Sequence, residues 1–314
     1  MVVSLVTGGA GFIGSHLVEE LVNRGREVTV IDDFSNGRID NLSHVKSKVK
    51  IARHDISQSY CHLAAGTIDE IFTLACYPRQ ISFSDPRRDC EVNLKGTINA
   101  LELARKKDAK VIFTSNTGIV SNPSRVPVDE TFPPSPLTPY DTHKLASEYL
   151  LKVYSQVCEV RTVTVRFASV YGPRQRVNEK LGWTPVIPEF ARRILNGESP
   201  TIFGDGNQTR DFLYVKDAVD GVILAMESPH PEANQGGVFI LGTDTETSIR
   251  DLLSTICSVI GKEVKPKFGP RKPDDIARMK YDYSKARSTF AFQPRTKLLQ
   301  GLIETAESLK NEPH

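Results

Sequence analysis

Residues 4–16 read SLVTGGAGFIGSH, with four glycines in the seven positions from Gly8 to Gly14, directly after an apolar run. The residues before them, VVSLVT, are mostly apolar and rich in β-branched side chains, as in a strand buried on both faces. After them, FIGSHLVEELVNRG repeats Ile13, Leu17 and Leu21 at helical spacing, with Val18 and Val22 widening the stripe and Gly25 placed to end the helix. The reading is strand, glycine turn, helix, and EVTVIDD (27–33) supplies a second strand that ends in acid. Gly8, Gly11 and Gly14 fit a G-x-x-G-x-x-G form of the dinucleotide fingerprint. The first glycine permits the tight turn, the second admits a pyrophosphate to the backbone, and the third lets helix and strand pack closely. Free N–H groups at the helix start, with the helix dipole, favour the phosphates.

A glycine turn can be merely structural, so the acid decides. Asp32 falls about 20 residues beyond the loop, where a carboxylate accepts the adenosine ribose hydroxyls. Its charge disfavours a 2′-phosphate and points to NAD over NADP, although Arg38 supplies an opposing cation nearby. Asp33, Ser35 and Asn36 are expected beside the same ribose, though these types are also ordinary turn formers.

The alternation continues. Apolar runs at 49–56, 70–75, 109–115 and 160–168 read as strands, and 93–107 and 142–157 as amphipathic helices. The fold class expected is α/β, a doubly wound parallel sheet with a smaller α/β lobe. The Rossmann domain is placed at residues 1–172 and a substrate lobe at 173–314, with about 213–245 returning to the first domain. Loops rich in Gly, Pro and Arg at 171–183, 203–212 and 268–275 are read as that lobe closing over a substrate.

Composition narrows the function classes. A net charge of +2, spread along 314 residues, offers no basic stripe for nucleic acid. No apolar stretch is long enough for a transmembrane span, and the N-terminus reads as a strand rather than a signal peptide. Five scattered cysteines fit neither a zinc site nor a disulfide scaffold, so no metal is expected and a cytoplasmic location is.

The segment YDTHK puts Tyr140 and Lys144 on one helix face, where an ammonium should lower the phenol pKa and make it a usable acid or base. YDYSK repeats the spacing at Tyr281 and Lys285. Position separates the two: Tyr140 follows a strand of the cofactor-binding half, whereas Tyr281 is placed in the far lobe as a packed or surface aromatic.

With these features in hand, the chain resembles the extended short-chain dehydrogenase/reductase superfamily, in its nucleotide-sugar epimerase/dehydratase branch. The resemblance rests on TGGAGFIGSH, VIDDFSNG, HDI, DPRRDCEVNLKGTINALELA, YDTHK, RFASVYGPRQ, GDGNQTRDFLYVKDAV and DYSKARSTFAFQP, in that order over nearly the whole chain. It implies NAD held by the glycine loop, with Phe12 and Ile13 at the helix start, a nucleoside-diphosphate sugar (UDP) in the C-terminal lobe, and a homodimer in which the helices containing Leu101 and Leu150 form a four-helix bundle. By the same resemblance Asp55 and Ile56 contact the adenine, and Leu74, Ala75 and Asn93 line the cofactor site. Tyr140 is then the base and Lys144 binds the nicotinamide ribose. Arg210, with Arg271 or Lys272, holds the diphosphate, and Ser169, Arg174 and Val186 belong to the substrate site.

Two departures bear on the chemistry. Where the family carries a small-hydroxyl cluster, this chain reads TSNTGIVSN; ungapped alignment puts Asn116 on the usual catalytic Ser/Thr, with Ser115 and Thr117 beside it, and Thr117 is the preferred hydroxyl. The Asp-Glu pair of the common 4,6-dehydratases is absent, which favours a 4-epimerase acting through a 4-keto intermediate. Cys76 and Tyr77 occupy a substrate-facing place. Buried filler is the preferred reading of Cys76, and a thiol serving a nonstandard elimination, such as 5,6-dehydration of a UDP-N-acetylhexosamine, is the alternative. A noncatalytic NAD-binding sensor is the remaining possibility, opposed by the retention of both Tyr140 and Lys144.

Overall fold

The computed structural model describes residues 1–310 apart from residues 65, 122, 180–181 and 272–274. The chain opens with β1 (Val3–Thr7), α1 (Phe12–Asn23), β2 (Glu27–Asp32), β3 (Val49–Arg53) and β4 (Glu70–Thr73). A short α2 (Pro86–Asp89) runs through a π-helical turn, Cys90–Lys95, into α3 (Gly96–Lys107), followed by β5 (Lys110–Asn116), α4 (Pro139–Cys158), β6 (Thr162–Phe167) and β7 (Ser169–Tyr171). Then come α5 (Val186–Leu195), β8 (Thr201–Phe203), β9 (Thr209–Arg210), β10 (Phe212–Tyr214), α6 (Val215–Glu227) and β11 (Gln235–Leu241). The chain continues through β12 (Thr247–Ser248), α7 (Ile249–Ile260), β13 (Lys267–Gly269), α8 (Ser284–Phe290) and α9 (Leu298–Lys310).

Seven strands form one parallel sheet in the order β11-β6-β5-β4-β1-β2-β3. The apolar residues of the inner strands follow from burial on both faces, with successive side chains entering opposite cores. Val6, Phe72 and Ile112 face a core shared with Leu17 and Leu21 of α1 and Val222 of α6. Their neighbours Leu5, Ile71, Val111 and Phe113 face the other core, with Leu101 and Ala104 of α3 and Leu151 of α4. A third core joins α5, α7 and α9 around Ile194, Leu252 and Leu302, and Phe12 and Ile13 pack against it. The strand order reverses at β1, so the crevice beyond the carboxyl ends of β1 and β4 is where a doubly wound sheet binds ligand. No helix among the described residues is long and apolar enough to cross a membrane.

Tyr281 departs from the sequence expectation. It is 1 % exposed, in the same core as the central sheet rather than in a far lobe. Asp282 N donates to the Val128 carbonyl at 2.9 Å, and Tyr281 N reaches the Asp211 carboxylate at 3.3 Å. The chain returns to the first half after the smaller lobe, and nothing in the local spacing announces that return. Of the two alternatives the sequence leaves, packed or surface, the aromatic is packed.

Candidate active site

A cleft of about 510 Å³ opens at the strand-order reversal. Its floor is the glycine turn. Gly8 has φ +71°, and a Cβ there would stand 2.5 Å from Ala75 N; a Cβ on Gly14 would meet the Gly8 carbonyl at 2.1 Å. Only glycine permits that approach, and it leaves a bare backbone cradle facing the cleft. No side chain caps the start of α1 at Gly11, so its first N–H groups and dipole are available to an anion. The cradle fits the pyrophosphate of a dinucleotide.

One end of the cleft is lined by Gly8, Gly11, Phe12, Ile13, Gly14, Asp32, Asp33, Ser35, Asn36, Asp55, Ile56, Leu74 and Ala75. Asp32, 6 % exposed, accepts from Ala10 N and Phe34 N at 2.9 Å each, which fixes its carboxylate at the mouth of the turn. Burial pushes its pKa up, and those two N–H groups oppose the shift. Arg38 pairs with Asp40 on the surface and does not line the cleft. Arg88, which the sequence reading passed over, lines this end too; it donates to Asp55 at 2.6 Å and lies 3.9 Å from Asp33, tying the ends of β2 and β3 together. Its signal was the DPRRD segment, in which Asp85 caps α2 through Arg88 N and Pro86 opens the helix.

At the other end lie Cys76, Tyr77, Arg79, Ser115, Asn116, Tyr140, Lys144, Ser169 and Trp183. Thr138 caps α4 and Pro139 opens it, which sets Tyr140 at the cleft wall, half-buried. Lys144, 2 % exposed, donates to the Thr114 carbonyl at 2.9 Å and stands 5.7 Å from the Tyr140 ring centroid. The Ser115 hydroxyl and the Asn116 amide nitrogen are both buried without a hydrogen-bond partner. Both residues line the cleft, where their unsatisfied polar groups are positioned to meet a ligand.

Several expectations need correction. The protein does not lower the phenol pKa of Tyr140: burial raises it, with further raising by Cys76, Asp141 and Asp89, while Arg79 opposes them. Burial also lowers the Lys144 pKa, so both groups resist charging. Thr117 is not the cleft hydroxyl. It is buried, donates to the Phe167 carbonyl at 3.0 Å and hydrogen-bonds with Tyr281, whereas Ser115 and Asn116 face the cleft. Cys76 is exposed at the cleft and is no core filler. Asn93, 2 % exposed, does not line the cleft: its amide nitrogen donates to Tyr77 O at 3.2 Å and its oxygen accepts from Tyr77 N at 3.1 Å, pinning the loop that carries Cys76.

The substrate-lobe residues divide. Arg174, at φ +69°, turns to Glu19 at 2.6 Å and Ser15 at 3.2 Å, packing on α1 instead of the cleft. Val186 is the first residue of α5 and packs against the third core. Arg210 donates to the Ile276 carbonyl at 2.8 Å and pairs with Asp275, and Arg271 donates to the Asp275 carbonyl at 3.4 Å. Both cations turn to the Asp275–Ile276 segment, Arg210 through the Asp275 carboxylate and Arg271 through its carbonyl, and neither lines the cleft. Lys272 lies outside the described residues.

Residues 4–242 match the model of the NAD dependent epimerase/dehydratase family. The chain is 35% identical over 316 residues to the UDP-glucose 4-epimerase of Mycolicibacterium smegmatis, covering 98% of this chain and 99% of that one. It is 33% identical to UDP-glucuronic acid decarboxylase 1 of Arabidopsis thaliana, covering 98% of this chain and 69% of the relative. The solved UDP-glucose 4-epimerase of Thermotoga maritima superposes with a TM-score of 0.92 at 32% identity, over 98% of this chain and 99% of that one. The glycine cradle with Asp32, the Tyr140–Lys144 pair and the match over most of the chain agree: this protein belongs to the NAD-dependent epimerase/dehydratase family.

Proposed function

We propose that the protein is a 4-epimerase of a UDP-hexose or UDP-N-acetylhexosamine, working through a transient 4-keto sugar. The observation that carries this is the convergence of Tyr140, Lys144, the Ser115 hydroxyl and the Asn116 amide at the cleft end away from Asp32. NAD, when bound, supplies the hydride acceptor and a positively charged ring that makes the buried phenol easier to ionise. Tyr140 takes the proton of the sugar hydroxyl and later returns it. Lys144, held by the Thr114 carbonyl, orients the ribose end of the cofactor, and Ser115 with Asn116 donate to the sugar oxygen as it becomes a carbonyl.

The charge distribution supports epimerisation over the family's other reactions. Among the described residues the acids lining the cleft are Asp32, Asp33 and Asp55, all at the nucleotide end, so no carboxylic acid faces the sugar to assist loss of water. The guanidinium at the sugar end, Arg79, already faces a carboxylate, Asp141, which favours a neutral sugar over a uronic acid. Exposed Cys76 supports a second reading, 5,6-dehydration with the thiol assisting elimination.

Incubation with UDP-glucose and UDP-N-acetylglucosamine, followed by mass and proton NMR of the products, tests the two. Unchanged mass with the galacto configuration supports the epimerase; loss of one water supports the dehydratase; no change in either sugar with NAD bound returns the sensor reading. We also read α3 and α4 as a self-pairing face: Tyr149, Val153 and Val157, on successive turns of α4, are 59%, 50% and 74% exposed. Three apolar side chains in line suit a four-helix bundle with a second copy. Val157→Glu should convert a dimer to a monomer in sedimentation equilibrium.

A further inference from the structure

Three segments of the fold meet beside Tyr140. Arg79 sits on the turn after β4, just beyond the Cys76–Pro78 stretch that lines the cleft. Asp141 follows Tyr140 in α4 and is 0% exposed. Gly118, after β5, passes beside both, where a Cβ would stand 3.3 Å from Asp141 Oδ1 and 3.8 Å from Arg79 Nε. Arg79 Nε lies 3.2 Å from each oxygen of Asp141, and its terminal nitrogen lies 3.1 Å from Oδ2. Asp141 N is itself held by the Thr138 cap at 3.1 Å, which anchors the carboxylate end of the pair at the start of α4.

A fully buried carboxylate one residue from a catalytic phenol sets a problem, since like charge in a poorly solvated place disfavours the phenolate. We propose that Arg79 is a positioning residue for the base: its paired guanidinium cancels the Asp141 charge beside Tyr140 and clasps the Cys76–Pro78 loop onto the start of α4. This rests on Tyr140 being the proton carrier. The other groups facing the phenol are the Cys76 thiol, the Asp89 carboxylate and Lys144 on its own helix. Asp89 Oδ1 is engaged by His143 Nδ1 at 2.7 Å and Asn93 Nδ2 at 2.9 Å, whereas the cation paired with Asp141 is Arg79. Burial, with Cys76, Asp141 and Asp89, raises the phenol pKa and Arg79 opposes them, the sign the clasp requires.

The test reads Tyr140 directly, without turnover. In NAD-loaded protein, the phenolate ultraviolet difference between each form and the same form carrying Tyr140→Phe gives the Tyr140 titration midpoint. Arg79→Gln should raise that midpoint by about one pH unit or more, Asp141→Asn should lower it, and the double variant should return close to the parent. Arg79→Lys should restore most of the Arg79→Gln shift. A midpoint unmoved by Arg79→Gln, or shifted as far in the double variant as in the single, overturns the proposal. If Arg79→Gln alone does not fold, the neutral double variant and Asp141→Asn still decide it: a midpoint lowered by Asp141→Asn and restored in the double variant supports the clasp, and any other pattern overturns it. Turnover of UDP-glucose and UDP-N-acetylglucosamine is measured on the same samples. A midpoint that responds without turnover sustains the clasp and removes the epimerase reading, and the reverse result does the opposite.

Discussion

Lys144 Nζ donates to the Thr114 carbonyl at 2.9 Å, joining α4 to the carboxyl end of β5 beneath the Tyr140 ring. That bond spends the ammonium's reach on placement: Lys144 stands 4.7 Å from the Phe113 ring centroid, in a surrounding that lowers its pKa by burial. The side chain holds the site together by where it stands as well as by its charge.

Replacing Lys144 by Met keeps the stem and removes the donor. The Thr114 carbonyl loses a partner, at a stability cost of about 1–3 kcal/mol, offset by no longer burying an ammonium. Steady-state kinetics on whichever of UDP-glucose and UDP-N-acetylglucosamine the parent turns over should show a kcat reduced by about 10² or more, with a melting temperature that moves by only a few degrees.

A second buried charge on α4 is structural. Glu148, 5% exposed, takes a two-point contact from Arg166 of β6, at 2.9 and 2.7 Å. Glu148→Ala leaves the guanidinium buried and unpaired, which should cost about 3–5 kcal/mol in denaturant unfolding. Removing both charges, by Glu148→Leu with Arg166→Met, should cost clearly less than the single change.

His16 gives the stability a pH dependence. Burial, aided by Arg174 and Lys216, pushes its pKa down from 6.5 to about 4 against the opposing effects of the Pro173 carbonyl, 3.0 Å from Nε2, and of Glu19. The unfolded chain therefore binds the proton more readily, so the contribution is full above pH 6.5 and is lost as the pH falls toward 4. The pKa difference corresponds to about 3 kcal/mol. Urea unfolding across that window should show the loss in the parent and a flatter profile in His16→Gln.

Much of the fold was legible because its signals are local. The central strands are rich in apolar and β-branched residues that feed two cores, as Val111, Ile112 and Phe113 do in alternation. The glycine turn was legible because Gly8 and Gly14 meet backbone atoms at distances no side chain tolerates. What the sequence hid depends on long-range partners. Thr117 looked like the cleft hydroxyl until the Phe167 carbonyl, fifty residues on, claimed its proton. Arg174 and Arg210 looked like substrate cations until Glu19 and Asp275 supplied nearer anions. The phenol of Tyr140 looked acidified by Lys144 until burial and the carboxylates of Asp141 and Asp89 were set beside it. Spacing along a helix shows which groups can meet, whereas the local dielectric and the third and fourth neighbours decide the sign of their effect.

The central claim is that Tyr140 and NAD act on the same carbon of a bound sugar, and rapid mixing tests it most directly. NAD-loaded protein mixed with UDP-glucose or UDP-N-acetylglucosamine should show the near-ultraviolet band of the reduced nicotinamide rise and fall, and Tyr140→Phe should slow that transient by about 10² or more while still binding NAD. A Tyr140→Phe variant that epimerises at the parent rate, or a parent that turns the sugar over without any reduced nicotinamide forming, would contradict it.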